Sequence, residues 1–418
     1  MKIGIIGLGD MGKMFAKIWA SHSLEVYGCD LPHNFMALNI EFEDSSVTIL
    51  NDAIAVSRIC DFIMYAVEAD KIEEVVKYAG PSTKFGAIVT GQTSVKTPEI
   101  KAFESYLPLD THIVGSHALF GPTVNPEGQT IVIFNHHASQ ESFDLVSDLY
   151  KLTGSKIEIL EDYTAHDKMM ADIQVVTHVG FESIGTAFMH RRVFPWEDTS
   201  RINGLDNIKM LLTLRIYSYK SHVYSGLAFN NPFAKNDVRK FANIENELFG
   251  MMICEKREKF ISKILRSRDK VFKDHSNKLM LNDELMSEYS LNPQFIHKPN
   301  SHLSLLSMVC TWAELNTNPY NNLVCQTPPF KLRVGLAEYL FLNQDLLNET
   351  IETALRDKSI LKDDLAFHTA VHEWTNILEL GDKKAYEKHF DATKRFLSER
   401  LEEGKLKSNE LIAKLKPT

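Results

Sequence analysis

The sequence predicts a doubly wound, mostly parallel α/β sheet followed by an all-α region. Up to about residue 160, short β-branched runs alternate with helix-like stretches. The runs are almost continuously apolar, as strands buried on both faces of a parallel sheet must be. Beyond Asp162 the strand signal fades, and apolar residues recur at helical spacing, as in Ile173 to Phe188 and Phe241 to Met252. At 418 residues, 44% of them hydrophobic, the chain is too long for one compact core and apolar enough to fill two or three.

In chain order, strands are expected at Lys2 to Ile6, Glu25 to Tyr27, Phe62 to Val67, Ala87 to Thr90, His112 to Val114, Ile131 to Phe134 and Ile157 to Leu160. They place an α/β domain over residues 1–162. A first helical block is expected over 163–272 and a second over 301–418, joined by an Asn-, Ser- and Pro-containing connector at 273–300. The two blocks share an order of segments. Asp172 to His178, Leu214 to Ser218 and Gly226 to Asn231 find counterparts in His302 to Met308, Thr327 to Lys331 and Tyr339 to Gln344. Few identities accompany that order, so chance similarity between amphipathic helices stands at even odds with duplication.

The net charge of −9 is spread along the chain, which offers no basic stripe for nucleic acid or an anionic membrane. Small molecules are the expected ligands. Cys29, Cys60, Cys254, Cys310 and Cys325 are odd in number, scattered and without metal-type spacing, so a reducing compartment and no metal are expected. No apolar run reaches about 18 residues, and the N-terminus enters a strand directly, so a cytoplasmic location is expected.

Gly7-Leu8-Gly9-Asp10-Met11-Gly12 follows the first strand and opens a helical pattern from Met11 to Ala20. Gly7 would permit a tight turn, Gly9 would let the backbone approach a pyrophosphate, and Gly12 would let helix and strand pack closely. The unsatisfied N–H groups at the helix start would meet the phosphates. Asp30 ends the second strand 18 residues after Gly12, where a ribose-binding acid belongs. The N-terminal domain is therefore expected to be a Rossmann domain. Asp30, followed by Leu31, Pro32 and His33 with no arginine, favours NAD over NADP when read alone.

Ligands of such sheets bind beyond the carboxyl ends of the strands. Gly91-Gln92-Thr93-Ser94-Val95-Lys96 and Gly115-Ser116-His117-Ala118-Leu119-Phe120-Gly121-Pro122 follow two of the predicted strands. Removing hydride from a carbinol carbon requires the hydroxyl proton to leave too, and a histidine titrating near neutrality suits that task. His117 is the candidate base and Ser94 a candidate for orienting the same oxygen. On spacing alone, a structurally bonded loop histidine is an equal reading of His117, and a helix-capping serine is the better reading of Ser94.

Ser94-Val95-Lys96 and Gly115-Ser116-His117-x-x-x-Gly121-Pro122, placed after the glycine turn, resemble the TyrA-type prephenate and arogenate dehydrogenases. His166-Asp167 followed by Asp172-x-Gln174-x-x-x-His178 is similar to that family's entry into its helical domain. Gly91 to Ser94, Leu214 to Ser218 and Asn300 to Leu306 resemble the fungal type, so the likeness spans nearly the whole chain. The resemblance implies that His117 draws the proton from the C4 hydroxyl of prephenate while Ser94 holds that hydroxyl. Carbon dioxide then leaves, and aromatisation gives 4-hydroxyphenylpyruvate. It also implies NADP, against the reading of Asp30. Arogenate dehydrogenase and a non-catalytic NAD(P)-binding redox sensor are the alternatives.

Prephenate's two carboxylates call for cations, ideally arginine. Bacterial members have an arginine where Gly226 stands here. Arg215, Lys220, His222, Lys331 and Arg333 are substitutes, each at about two to one against a solvated surface charge. Gln174 and His178, four apart, share a helix face and could line the pocket. Bacterial relatives complete the site by dimerising, so the expectation is a monomer with an internal pseudo-dimer, or a homodimer.

Overall fold

The computed structural model describes residues 1–122, 124–194, 196–197, 204–273, 280–290 and 299–414, with only the backbone of Gln326. The chain divides into two compact units, Met1–Lys168 with Asn230–Pro232, and Met169–Phe229 with Phe233–Thr418.

The first unit is built on an eight-stranded sheet. Its strands are β1 Lys2–Ile6, β2 Glu25–Cys29, β3 Val47–Ile49, β4 Phe62–Tyr65, β5 Ile88–Gly91, β6 His112–Ala118, β7 Thr130–His137 and β8 Lys156–Ile159. They lie in the order β3-β2-β1-β4-β5-β6-β7-β8, and every neighbouring pair is parallel except β6 with β7. Ile3, Ile5, Phe62 and Met64 point to one face, onto Phe15, Trp19 and Tyr150. Ile6, Ile63, Tyr65 and Val89 point to the other, onto Val76, Ile100 and Phe103. Burial on both faces explains why the strands read as continuous apolar runs.

Two strands differ from expectation. β3 is three residues long with only Val47 buried, too short for any periodicity to show. β6 continues past Val114 to Ala118, pairing antiparallel with β7 through His117 opposite Val132. Ser116 and His117 therefore lie within the strand rather than after it. They are polar, so the run seemed to stop. At Gly115 an added Cβ would lie 1.9 Å from the Phe134 ring, so glycine is what lets that ring cross β6.

The second unit is helical throughout its described residues. It is one compact unit, so the expected separation of 163–272 from 301–418 gives way to interleaved packing, and the first unit extends to Lys168 rather than 162. Within the expected connector Asp283–Glu288 forms a short helix, while 274–279 and 291–298 lie outside the described residues. The packing is reciprocal. Val176–Arg191 lies on Leu361–Leu380, while Leu303–Glu314 lies on Ala234–Ile253. Arg257–Phe272 touches Pro328–Leu342, while Lys383–Phe396 touches Gly204–Ser218. Ahead of Val176–Arg191, Ala171–Val175 forms a π-helical turn, which the apolar spacing had not distinguished from ordinary helix.

Candidate active site

The glycine turn has the three local properties that its sequence predicts. Gly7 has φ +100°, open to glycine but not to other residues, and an added Cβ would also lie 2.5 Å from the Ala66 carbonyl oxygen. At Gly12 an added Cβ would lie 2.0 Å from the Gly7 carbonyl oxygen, so helix Asp10–Ser21 starts against the turn. Gly9 has nothing within 4 Å of its Cβ position, leaving its backbone open to a ligand. Leu8 is buried against Gly28, Asp10 is exposed in the helix's first turn, and Met11 is half-buried. These residues fit a dinucleotide pyrophosphate at the helix start.

Asp30 takes a role that spacing could not reveal. Its Oδ2 accepts from the Leu8 N–H at 2.6 Å, and its Oδ1 accepts from the Leu31 N–H and the Asn34 amide, each at 2.8 Å. The carboxylate thus braces the glycine turn, and both oxygens already carry hydrogen bonds.

The candidate base sits on β6. His117 is 9% exposed, and its Nδ1 lies 3.0 Å from Nε2 of His166. His166 is fully buried, with Nδ1 2.8 Å from Oδ1 of Asp167. Asp167 also accepts the Lys96 and Thr97 N–H groups, both at 2.7 Å, at the start of helix Lys96–Tyr106. Burial works against the Asp167 carboxylate, but the His166 and N–H bonds hold it below its ordinary pKa. An ionised carboxylate only accepts, so Nδ1 of His166 carries the proton. Nε2 of His166 then accepts, and Nδ1 of His117 donates to it. The Nε2 lone pair of His117 is left for a substrate proton.

Burial, then the positive character of His166 and Lys96, keeps the His117 pKa well below 6.5. The ring is therefore neutral at physiological pH, as a general base must be. His166 is likewise lowered by burial, with Asp167 opposing. His166 and Asp167 were visible in the sequence only as part of a resemblance; nothing local marks them as partners of a residue 49 positions earlier.

A polar cluster fixes the strand ends around this base. Ser116 Oγ donates to the Gly91 carbonyl at 3.0 Å and lies 2.7 Å from Thr90 Oγ1 and 2.6 Å from the Tyr150 hydroxyl. Gln92 donates to Ser116 Oγ and Tyr150, and accepts from the Ala118 N–H, bridging β5 to β6 on either side of His117. Ser94 is half-buried in the turn after β5 and caps nothing: the next helix has Val95 as its N-cap and no side-chain cap. Its hydroxyl is therefore not committed to the role that sequence alone favoured. Lys96 and Glu99 form a fully buried ion pair at 2.7 Å, and Lys96 also donates to the Gly91 carbonyl.

The helical unit carries a second cluster. His178 is buried, with Nδ1 unpartnered, and packs on the rings of Tyr224 at 4.8 Å and Phe330 at 5.6 Å. Arg333 is buried over Phe330 at 4.3 Å, and its Nε and Nη1 have no hydrogen-bond partner. Burial pushes the Glu182 carboxyl up to about 8, against the Tyr386 hydrogen bond and Arg333. It also lowers His178 well below 6.5. Both are uncharged at pH 7, so Arg333 brings a positive charge with no hydrogen-bonded counter-ion. Burial brings Arg333 down only to about 10, so it stays protonated.

The other predicted cations are disposed differently. Arg215 bonds Ser408 and Asn409, Lys220 is exposed, and His222 and Lys331 are half-buried. Gln174 sits in the π-helical turn with its Oε1 buried and unpartnered. An added side chain at Gly226 would meet nothing within 4 Å.

An open glycine turn at a helix start, together with a neutral histidine held in one tautomer, is the equipment of a hydride-transferring dehydrogenase. Residues 22–159 match the family model described as "Prephenate dehydrogenase, nucleotide-binding domain". Residues 175–417 match a second model, described as a "6-phosphogluconate dehydrogenase C-terminal domain". The chain is 40% identical over 422 residues to the Saccharomyces cerevisiae protein named "Prephenate dehydrogenase [NADP(+)]", covering 98% of this chain and 93% of that one. It is 40% identical over 420 residues to a Schizosaccharomyces pombe protein named "Probable prephenate dehydrogenase [NADP(+)]", covering 99% and 97%. A crystal structure of prephenate dehydrogenase from A. aeolicus matches with TM-score 0.51 at 17% identity, over 63% of this chain and 94% of that one, a likeness of fold. The chain belongs to the prephenate dehydrogenase family.

Replacing Lys96 by Met leaves the Glu99 carboxylate buried without its cation. The unfolding free energy in urea is expected to fall by about 3–5 kcal/mol, and the double variant Lys96→Met with Glu99→Leu should recover most of it. A loss of less than about 1 kcal/mol in the single variant would show that the pair is not what satisfies Glu99.

Proposed function

We propose that this chain catalyses the NADP-dependent oxidative decarboxylation of prephenate to 4-hydroxyphenylpyruvate, the dehydrogenase step of tyrosine biosynthesis. Identity of 40% across 98% of the chain with the Saccharomyces cerevisiae NADP enzyme carries the reading. The site geometry supports it. A bound nicotinamide supplies the hydride acceptor. His117, through its free Nε2, takes the C4 hydroxyl proton, and the His166–Asp167 pair steadies the imidazolium that results. Decarboxylation and ring aromatisation follow, and the proton can return to the phenolic oxygen. Ser94 holds the same hydroxyl.

NADP is favoured over NAD by the names of the fungal relatives and by the state of Asp30. Its oxygens are taken up by three N–H donors, so it is less available to grip ribose hydroxyls than spacing suggests. Gly7 to Gly12 would hold the pyrophosphate.

In the helical unit Arg333 is the cation for a substrate carboxylate, with His178 and Gln174 as polar neighbours on the substrate side. It comes from the second helical stretch while His178 comes from the first. Reciprocal packing of the two stretches supports reading the second as a built-in partner, an internal pseudo-dimer.

The assay pairs prephenate or arogenate with NADP or NAD and follows reduced nicotinamide. Turnover is expected with prephenate and NADP; turnover with arogenate alone would move the assignment to that substrate. His117→Asn should lower kcat by roughly 10²- to 10⁴-fold. Because protonation silences the base and its pKa lies well below 6.5, wild-type kcat should hold through neutrality and fall only on the acid side of pH 6.5. Near-normal turnover of the Asn variant would remove His117 from the mechanism. Arg333→Met should raise KM for prephenate by about 10- to 100-fold, the worth of a charged hydrogen bond, without altering KM for NADP. Removing an unpaired buried charge should leave the melting temperature equal or higher. An unchanged prephenate KM would exclude Arg333 as the carboxylate's partner.

A further inference from the structure

Helices Ala234–Ile253 and Leu361–Leu380 pack together, and three side chains able to bind a metal ion meet between them. Glu245 is fully buried. Its Oε2 lies 2.8 Å from Nδ1 of His368 and 3.9 Å from Nε2 of His372. The two histidines are one turn apart, with ring centroids 4.5 Å from each other. One ligand atom from each residue falls within 4.8 Å of the other two.

Two of these polar atoms are unfinished. Glu245 Oε1 and His372 Nε2 are both buried without a hydrogen-bond partner. A fully buried carboxylate with one histidine neighbour is short of donors, and such a group is costly to leave so. The His372 side chain is 36% exposed, yet its Nε2 is turned inward, opposite to the usual outward disposition of a polar tip. Phe249, one turn beyond Glu245, stacks on His368 at 4.6 Å and 19°, fixing the plane of that ring.

We propose that Glu245, His368 and His372 bind a divalent transition metal, with zinc the ion whose chemistry fits best. Tetrahedral zinc with bonds of about 2.0–2.1 Å needs donor atoms roughly 3.3 Å apart. The spacings of 2.8 and 3.9 Å bracket that value, so small side-chain rotations close the shell without moving either helix. Histidines at i and i+4 bring both imidazoles to one point, as His-x-x-x-His zinc sites do. Two imidazoles and a carboxylate select zinc-like ions over magnesium or calcium. Binding requires His368 to coordinate through an unprotonated Nδ1, the ring proton then residing on Nε2, and Glu245 to be ionised, any displaced proton passing to solvent. The exposed side of His372 leaves the fourth position to water. The ion would clip Glu245 to a helix 123 residues further on, as a structural tie and not a part of hydride transfer.

Within the sequence only His368-x-x-x-His372 signalled this; the third ligand is supplied by the fold. Glu373, with His190 at 3.2 Å and His389 at 3.4 Å, is the nearest alternative cluster and serves as the control.

Tag-free, metal-stripped full-length protein titrated with Co²⁺ should take up one equivalent and show the visible absorption of tetrahedral cobalt, which Zn²⁺ then removes. Zn²⁺ at a hundredfold excess over its Kd should raise Tm by roughly 5 °C or more. Glu245→Gln and the partly exposed His372→Asn should each lose the cobalt spectrum and the Tm shift, with dehydrogenase activity and circular dichroism unchanged; His389→Ala should keep both. Absence of the cobalt spectrum in the wild type overturns the proposal. So does its persistence in both Glu245→Gln and His372→Asn, or its loss in His389→Ala.

Discussion

A carboxylate buried away from water must be satisfied on most of its lone pairs, and the way Asp167 meets that demand organises the first unit's chemistry. Two N–H groups at the start of helix Lys96–Tyr106 and one imidazole N–H supply its hydrogen bonds. The helix start would otherwise lack a side-chain cap, since Val95 stands at the capping position. The same carboxylate therefore anchors a helix, fixes the tautomer of His166 and, through it, the tautomer of His117. Each bond constrains the next: an acceptor that cannot donate sets the direction of every proton along the line. Lys96 contributes from its backbone to Asp167 and from its side chain to Glu99, so the helix's first residue is held at both ends.

Much of the first unit was legible in the sequence because burial on both sheet faces leaves continuous apolar runs, and because the glycine turn combines three separate steric demands in six residues. Gly7, Gly9 and Gly12 meet distinct surroundings, and those surroundings match the roles that spacing assigned. Legibility ended where polar residues enter a strand. Ser116 and His117 interrupt the apolar run of β6, yet antiparallel pairing with β7 carries the strand through them. The functional residue was itself what hid the element bearing it.

The site was legible in proportion to how local its determinants are. His117 could be proposed from its place near a strand end, but His166 and Asp167 come from a helix that no periodicity ties to β6. Asp30 was placed correctly and understood incompletely, because its hydrogen bonds to Leu8, Leu31 and Asn34 depend on backbone geometry. Among the cations of the helical unit, sequence offered several equivalent choices. Burial separates them: Arg333 is enclosed with two unpaired nitrogens, whereas Lys220 lies in solvent and Arg215 is bound to Asn409. Solvation decides which charge awaits a ligand, and solvation is not written in spacing.

The π-helical turn at Ala171–Val175 bears on how this unit tolerates insertion and deletion. A π turn accommodates one residue more than the α-helix it interrupts, and successive α-helical residues are about 100° apart around the axis. Removing one residue from this turn would restore an ordinary helix and rotate everything after it by about that angle. Val179 would then stand where His178 now faces Tyr224 and Phe330. The extra residue thus acts as a phase setting for the helix, choosing which of several consecutive side chains looks toward Arg333. Lengths on either side of it can drift in evolution only in pairs that preserve that phase.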